Sequence, residues 1–216
     1  MQKLIEGIHK FHNEVFSSQV ELFKKLEKGQ KPQVLFITCS DSRISPNLIT
    51  QTDPGDLFII RNAGNIIPSY GPYVNGESAT IEFAIEGLGI KDIIVCGHSH
   101  CGAMQALLKP ELVEKMPSMQ GWLRNCDSTL RIVQEHYQHL QDEARLMATI
   151  QENVLMQIEN LETHPAVAAR RTKGNLRIHG WVYKFETGMV FKYDRESGQF
   201  VPLVQSQEFA KAESNI

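Results

Sequence analysis

Three short apolar runs, separated by helix-like segments, constrain the fold of this chain more than any other feature. The runs QVLFIT (33–38), DLFII (56–60) and KDIIVCG (91–97) are rich in the β-branched and aromatic residues that favour strands. Segment 77–89 carries apolar residues at helical spacing, and segment 101–109 is predicted to be the helix after the third run. This alternation indicates an α/β fold with a mainly parallel central sheet and flanking helices.

The remaining segments predict a helical arm before the sheet, and helices and a hairpin after it. Apolar residues recur at helical spacing near the start of the chain, at Leu4, Ile8, Phe11 and Val15. Further helices are expected around 120–142 and 147–162. The segments NLRIHGWVYKF (175–185) and MVFKYD (189–194), separated by ETG, predict a closing β-hairpin.

Length and composition predict one domain in a reducing compartment. A chain of 216 residues with 42% hydrophobic content suits a single domain over residues 1–204, with an N-terminal arm of about residues 1–30 and a polar tail at 205–216. The net charge of −3 argues against a nucleic-acid partner, and no apolar run approaches the roughly 18 residues of a membrane span. Four cysteines are few for a secreted disulfide framework, so we expect a cytoplasmic protein with reduced thiols.

Two of the predicted strands end in residues that can carry chemistry. Cys39, Asp41 and Arg43 follow the first predicted strand, and His98 and Cys101 follow the third. Because the carboxyl ends of parallel strands meet at one edge of a sheet, these two groups could face each other. Two thiolates and one imidazole with a free fourth position are a catalytic zinc pattern, since structural zinc sites are closed by four protein ligands.

Each of these residues also has a plainer interpretation. Cys39 taken alone could be a small buried apolar residue at a strand end, as cysteines often are. Cys96 and Cys126 are predicted to be structural, with the side chain of Cys96 on the opposite face of the sheet from its neighbours. His100 is interpreted as a surface residue or a proton relay, and His164 is among the histidines expected to be solvated.

The motifs CSDSR, FIIRNAGN, GHSHCGA and HGWVY occur in the order and spacing of the β-class carbonic anhydrases, and the chain resembles this family over residues 1–204. The residues of these motifs are most similar to those of cyanobacterial, carboxysome-associated members. The resemblance implies one Zn²⁺ per chain, bound by Cys39, His98 and Cys101. It also implies a four-stranded parallel core extended by a further strand.

The resemblance also implies a substrate pocket and a pair of residues beside the metal. By matched position, the pocket residues are Gln30, Phe58, Ala63, Phe83 and Gly102. Ala63 and Phe83 stand where the family often has valine and tyrosine, so we expect the pocket to differ in shape from that of such members.

The expected function is zinc-dependent, reversible hydration of carbon dioxide to bicarbonate and a proton. In this reading a zinc-bound hydroxide attacks carbon dioxide, while Asp41 orients the hydroxide and Arg43 holds Asp41 away from the metal. Near pH 7.5 we predict Asp41 paired with Arg43 and not bound to zinc. The alternatives are a carbon disulfide or carbonyl sulfide hydrolase on the same fold, and an inactive zinc-stabilised scaffold protein.

The expected partners are carbon dioxide and bicarbonate, further copies of this chain, and a carboxysome scaffold protein. The family forms homodimers or higher even oligomers in which the N-terminal helices pack on a partner subunit. No nucleic acid and no membrane is expected. The expected location is the cytoplasm, with the interior of a carboxysome as the more specific alternative.

Overall fold

A six-stranded sheet forms the centre of the protein. The computed structural model describes residues 1–203, so the tail predicted at 205–216 lies outside the described residues. The strands are β1 (Val34–Cys39), β2 (Leu57–Asn62), β3 (Asp92–His98), β4 (Arg177–Tyr183), β5 (Val190–Asp194) and β6 (Gln199–Pro202). Their order is β2-β1-β3-β4-β5-β6. The first four strands pair in parallel, and the β4–β5 and β5–β6 pairs are antiparallel. The predicted α/β fold with a mainly parallel sheet is confirmed, and the sheet extends beyond its parallel core by two strands.

Helices connect the strands and cover the sheet. They are α1 (Gln2–Lys10), α2 (Val20–Glu27), α3 (Pro46–Thr50), α4 (Gly76–Glu82), α5 (Gly102–Leu108), α6 (Pro117–Leu123), α7 (Asp127–His136), α8 (Asp142–Glu162) and α9 (Pro165–Thr172). Short π-helical segments follow α1 and α4, at Phe11–Phe16 and Phe83–Gly87, and short 3₁₀ turns lie at Pro110–Val113 and Arg124–Cys126. Within residues 1–203, none of the helices combines the length and the apolar character that crossing a membrane requires.

The core lies on both faces of the sheet, because successive side chains of a strand point to opposite faces. The larger cluster includes Leu35 and Ile37 of β1 together with residues of α4, α5 and α8. A smaller cluster on the other face includes Phe36, Ile94 and Cys96, all buried. The placement predicted for Cys96 is therefore correct.

Two glycines let α8 lie directly against the neighbouring strands β3 and β4. A Cβ atom on Gly97 would lie 2.9 Å from Cγ2 of Val154, and one on Gly180 would lie 3.0 Å from Cγ1 of the same residue. Such distances leave no room for a larger side chain on β3 or β4. The close approach fixes α8 beside the end of β3, where His98 lies.

The boundaries of several elements differ from those predicted. The helix expected around 120–142 is split into α6 and α7 by the 3₁₀ turn at Arg124–Cys126. The short elements α3, α9 and β6 were not predicted, since each has fewer than nine residues and a weak apolar pattern. In the N-terminal arm, α1 buries none of its residues within the single chain.

Candidate metal centre

Cys39, His98 and Cys101 meet at the carboxyl edge of the sheet. Cys39 is the last residue of β1, His98 the last of the adjacent strand β3, and Cys101 precedes the first turn of α5. The three side chains are buried, and their candidate ligand atoms all lie within 4.8 Å of one another. This convergence follows from the parallel pairing of β1 with β3, which brings the two strand ends to the same edge.

The imidazole of His98 is oriented as a metal ligand requires. Its Nδ1 lies 2.8 Å from the carbonyl oxygen of Ser99 and must donate to it, which leaves the lone pair on Nε2. Nε2 is buried, and among residues 1–203 it has no hydrogen-bond partner. A buried polar atom without a partner is costly, so this nitrogen fits a site that takes a metal ion.

The two thiols share one buried environment. Hydrogen bonding with Cys101 lowers the pKa of the Cys39 thiol, and the same contact raises the pKa of Cys101 well above its ordinary value. The backbone N–H of Gly64 also donates to Sγ of Cys39, at 3.3 Å. The protein alone thus favours one thiolate, whereas two thiolates in this buried site need a positive charge between them. Soft sulfur together with imidazole suits zinc.

Asp41 lies beside these ligands and is held by Arg43. The guanidinium donates from Nε to Oδ1 at 2.9 Å and from Nη2 to Oδ2 at 2.7 Å, and the backbone N–H of Arg43 donates to Oδ1 at 3.0 Å. Oδ2 of Asp41 lies 3.9 Å from Nε2 of His98. The hydrogen bonds from Arg43 hold the pKa of Asp41 far below its ordinary value of 3.8, so the carboxylate is charged at neutral pH.

Contacts behind Arg43 fix its position. Its Nη2 also donates to the carbonyl oxygen of His100 at 3.2 Å, and its guanidinium carbon lies 4.6 Å from the ring centre of Phe185. The ring of Phe185 lies 5.2 Å from that of His98, so one aromatic side chain contacts both a ligand and the arginine. Phe185 ends the predicted hairpin strand, and no sequence pattern distinguished it as a site residue.

Arg61 orders the loop that carries Asp41. Its Nε donates to the carbonyl of Cys39 at 3.1 Å, and its Nη2 donates to the carbonyls of Asp41 and Ile44 at 2.8 and 3.0 Å. Three carbonyls spread over six residues thus converge on one guanidinium. Arg61 belongs to the FIIRNAGN motif, but its role could not be inferred before β1 and β2 were placed side by side.

The predicted pocket residues occupy varied positions. Gln30 is exposed in the loop after α2, and Gly102 is exposed at the start of α5. Ala63 follows β2, and its carbonyl accepts a hydrogen bond from Trp122. Phe58 is half-buried on β2, with its ring centre 6.0 Å from that of Phe83, which is 52% exposed. Their role in a pocket stays a prediction.

Two other histidines differ in their surroundings. His100 adopts a left-handed backbone conformation (φ 54°), and its Nε2 lies 2.5 Å from Oε1 of Glu186, away from the metal ligands. His164 was predicted to be solvated, which is wrong. Its side chain is buried, its Nε2 lies 3.1 Å from the carbonyl of Pro68, and burial lowers its pKa.

Known proteins share both the sequence and the fold of this chain. The carbonic anhydrase family model matches residues 34–190. A carbonic anhydrase from Synechocystis sp. is 52% identical over 202 residues, which cover 93% of this chain and 74% of that protein. The structure of the β-carbonic anhydrase CcaA superposes with a TM-score of 0.91 at 51% identity, over 94% of this chain and 98% of that one. A tetrameric β-carbonic anhydrase from Sordaria macrospora has a TM-score of 0.80 at 27% identity, over 88% of this chain and 95% of its own.

Proposed function

The chain belongs to the β class of the carbonic anhydrase family, and from this premise we propose that it hydrates carbon dioxide reversibly with one zinc ion per chain. The observation that carries the proposal is the buried set of two thiols and one imidazole whose Nε2 has no partner among the described residues. Three protein ligands leave a fourth position for solvent, as in catalytic zinc sites. The similarity to a cyanobacterial relative agrees with the resemblance of the motif residues to cyanobacterial members.

Cys39, His98 and Cys101 would hold the metal. When bound, zinc supplies a Lewis acid that lowers the pKa of a coordinated water towards neutrality. The two thiolates would offset its positive charge within the buried site. The Ser99 carbonyl would keep the His98 ring in the tautomer that presents Nε2.

Asp41 would orient the attacking group, and Arg43 would keep Asp41 available for that role. A charged carboxylate 3.9 Å from the ligand nitrogen of His98 is near enough to accept a hydrogen bond from a group bound at the open position. Both oxygens of Asp41 already accept from Arg43, which opposes their movement onto the metal. Gly102, the first residue of α5, would offer its backbone N–H as a further donor near Asp41.

The proposal is tested with matched cysteine variants. Cys39→Ala removes a thiol beside His98, whereas Cys96→Ser alters an equally buried thiol on the other face of the sheet. We expect the purified wild type and Cys96→Ser to hold about one zinc per chain by elemental analysis and to hydrate carbon dioxide in a stopped-flow assay. We expect Cys39→Ala to lose both properties, with a rate reduced at least about a hundredfold.

Full zinc occupancy in Cys39→Ala would refute the ligand assignment. The same samples should be assayed with carbon disulfide, because a hydrolase on this fold would turn over that substrate and not carbon dioxide. A wild type that binds zinc but turns over neither compound would support the scaffold alternative.

We further propose that the enzyme acts as a dimer or a larger even oligomer, and that it supplies carbon dioxide to Rubisco inside a carboxysome. The first part is supported by the exposed apolar residues of α1 and by the tetrameric relative from Sordaria macrospora. The second is supported by similarity to a cyanobacterial relative. Purification of carboxysomes from cells that produce a tagged chain would test the location, and a tag found entirely in the soluble fraction would contradict it.

A further inference from the structure

The loop after β2 approaches the metal centre at Gly64. The N–H of Gly64 donates to Sγ of Cys39 at 3.3 Å. Its φ of 83° favours glycine, and a Cβ atom at this position would lie 2.9 Å from Cβ of Ala103. Gly64 is therefore packed between one ligand, Cys39, and the first turn of α5, which begins directly after the ligand Cys101. A displacement of Gly64 would therefore change the position of the N–H donor relative to Sγ of Cys39.

A buried amide on α8 holds this glycine from the other side. Nδ2 of Asn153 donates to the carbonyl oxygen of Gly64 at 3.0 Å, across 89 residues of chain. Oδ1 of Asn153 accepts from Nε2 of Gln157 at 2.9 Å and from Sγ of Cys126 at 3.3 Å. Asn153 and Gln157 are both completely buried, so these bonds fix the direction of the amide group.

The position of Asn153 is unusual for the buried face of a helix. Asn153 belongs to a row of buried polar side chains one turn apart, with Thr149 before it and Gln157 after it, beside the apolar Ile150 and Val154. A buried amide is tolerated there when its hydrogen bonds are made, and replacing it alone would take this partner from the carbonyl of Gly64 and the amide of Gln157. The bond from Nδ2 of Asn153 to the carbonyl of Gly64 connects this row of polar side chains to the loop that contacts Cys39.

We propose that Asn153 is a positioning residue of the metal centre, which acts through Gly64 to hold the N–H donor on the thiolate of Cys39. This proposal rests on the zinc site proposed above. Hydrogen bonds to metal-bound groups orient the ligands and strengthen metal retention, and losing such a partner commonly changes metal affinity about 10- to 100-fold.

A second amide on the same helix provides a matched control. Nδ2 of Asn160 donates to the carbonyl of Ile67, at the far end of the same loop. Ile67 keeps its own anchor there, because its N–H donates to Oε1 of Gln157 at 2.7 Å. Asn153→Leu and Asn160→Leu are the same nearly isosteric change, and each removes one bond from α8 to the loop. Each also removes a bond to Gln157, and Asn153→Leu removes the bond from Cys126 as well.

The test compares zinc retention in these two variants. We expect Asn153→Leu to release zinc to a colorimetric chelator about tenfold faster than the wild type or more, and Asn160→Leu to stay within about twofold. The melting temperature should be measured with and without zinc. Positioning predicts that Asn153→Leu shrinks the difference between the two values, whereas a purely structural role would lower both equally.

Cobalt substitution gives a second readout. The thiolate-to-cobalt absorption band should change in Asn153→Leu and remain as in the wild type in Asn160→Leu. Should Asn153→Leu fail to fold, Asn153→Ser decides the question, because its hydroxyl is too short to reach Gly64 and the change is milder for the core. Equal zinc release from the Asn153 and Asn160 variants would overturn the proposal. Retention of zinc by Cys39→Ala would instead refute the zinc site on which it rests.

Discussion

At the scale of single residues, the four buried thiols differ in what surrounds them. Desolvation raises the pKa of Cys96 and of Cys126 to about 12, as expected for thiols in an apolar core. Cys39 is equally part of the core, yet its pKa is lowered because Cys101 and the Gly64 N–H donate hydrogen bonds to its sulfur. Burial alone therefore does not distinguish a ligand thiol from a structural one; the hydrogen-bond donors around the sulfur do.

Arg43 gives the first prediction at this scale. In Arg43→Ala, both oxygens of Asp41 lose their guanidinium donors, so we expect the carboxylate to move onto the metal. Zinc should be retained, and the hydration rate should fall about a hundredfold or more at pH 7.5. X-ray absorption at the zinc edge would detect an added oxygen ligand. Arg43→Ala with Asp41→Asn is the matched control, because a neutral amide binds zinc weakly.

The direction of the pH effect follows from the pKa of Asp41. Its folded-state pKa is depressed, so the ion pair is present at pH values above the ordinary 3.8 and is lost only well below it. A change of activity between pH 9 and pH 6 in the wild type should therefore come from another group. An activity loss in this range that Asp41→Asn abolished would contradict the pairing.

At the scale of elements, one ion-pair cluster joins the beginnings of β3 and β4. Asp92 and Arg177 face each other in the strand register, and the guanidinium donates to both carboxylate oxygens at 2.7 and 2.6 Å. His179, two residues further along β4, lies 3.0 Å from the same carboxylate. These contacts lower the pKa of Asp92 from 3.8 to about 2, and the hydrogen bonds from Arg177 are the largest cause.

Asp92→Asn tests this cluster through the pH dependence of stability. Because the pKa is lower in the folded state, the carboxylate stabilises the fold above about pH 4, and this contribution is lost as the pH falls towards 2. We expect Asp92→Asn to lower the midpoint of urea unfolding at pH 6, by an amount that shrinks at pH 3. Arg177 is largely exposed and the pair is screened by solvent, so the shift in the midpoint should be small. Equal shifts at both pH values would show that the change acts through packing and not through charge.

Elements with strong local patterns could be predicted from the sequence, and contacts between distant residues could not. β1 and β3 are continuous apolar runs, and each ends in a ligand, so both the strands and the Cys39–His98–Cys101 group were accessible. The bonds from Asn153 to Gly64 and from Arg61 to the carbonyls after β1 depend on neighbours in space. His164 was misjudged for the same reason, since its burial comes from packing against the 68–70 loop.

At the scale of the whole molecule, the N-terminal arm leaves apolar side chains uncovered in the single chain. Leu4 is 63% exposed and Ile8 is 67% exposed, one helical turn apart on α1. The arm has an internal contact through Phe16 and Phe23, whose ring centres are 5.0 Å apart, but this contact does not cover the face of α1. An apolar face of this kind is typical of an interface between subunits.

We therefore expect Leu4→Glu with Ile8→Glu to convert an even oligomer into monomers. Two buried charges at an interface are strongly unfavourable, and light scattering at micromolar concentration would report the change in mass. Gln2→Glu with His9→Glu introduces the same two acidic side chains on the other side of α1 and should keep the oligomer. A wild type that is monomeric and fully active would contradict this expectation.

The parallel pairing of β1 with β3 has a mechanical consequence. β2 intervenes between them in sequence but lies at the edge of the sheet, so a metal ion shared by Cys39 and Cys101 would close a covalent loop of about 60 residues around that edge. In the chain-entropy description, a cross-link over such a length removes denatured-state freedom equivalent to about 4 kcal/mol. The looped segment contains β2 and α4, and with them Phe58 and Phe83. If β2 detached from the sheet, the shared metal would still hold residues 39 and 101 together. The detached segment would then pair again quickly, because β1 and β3 would remain in place.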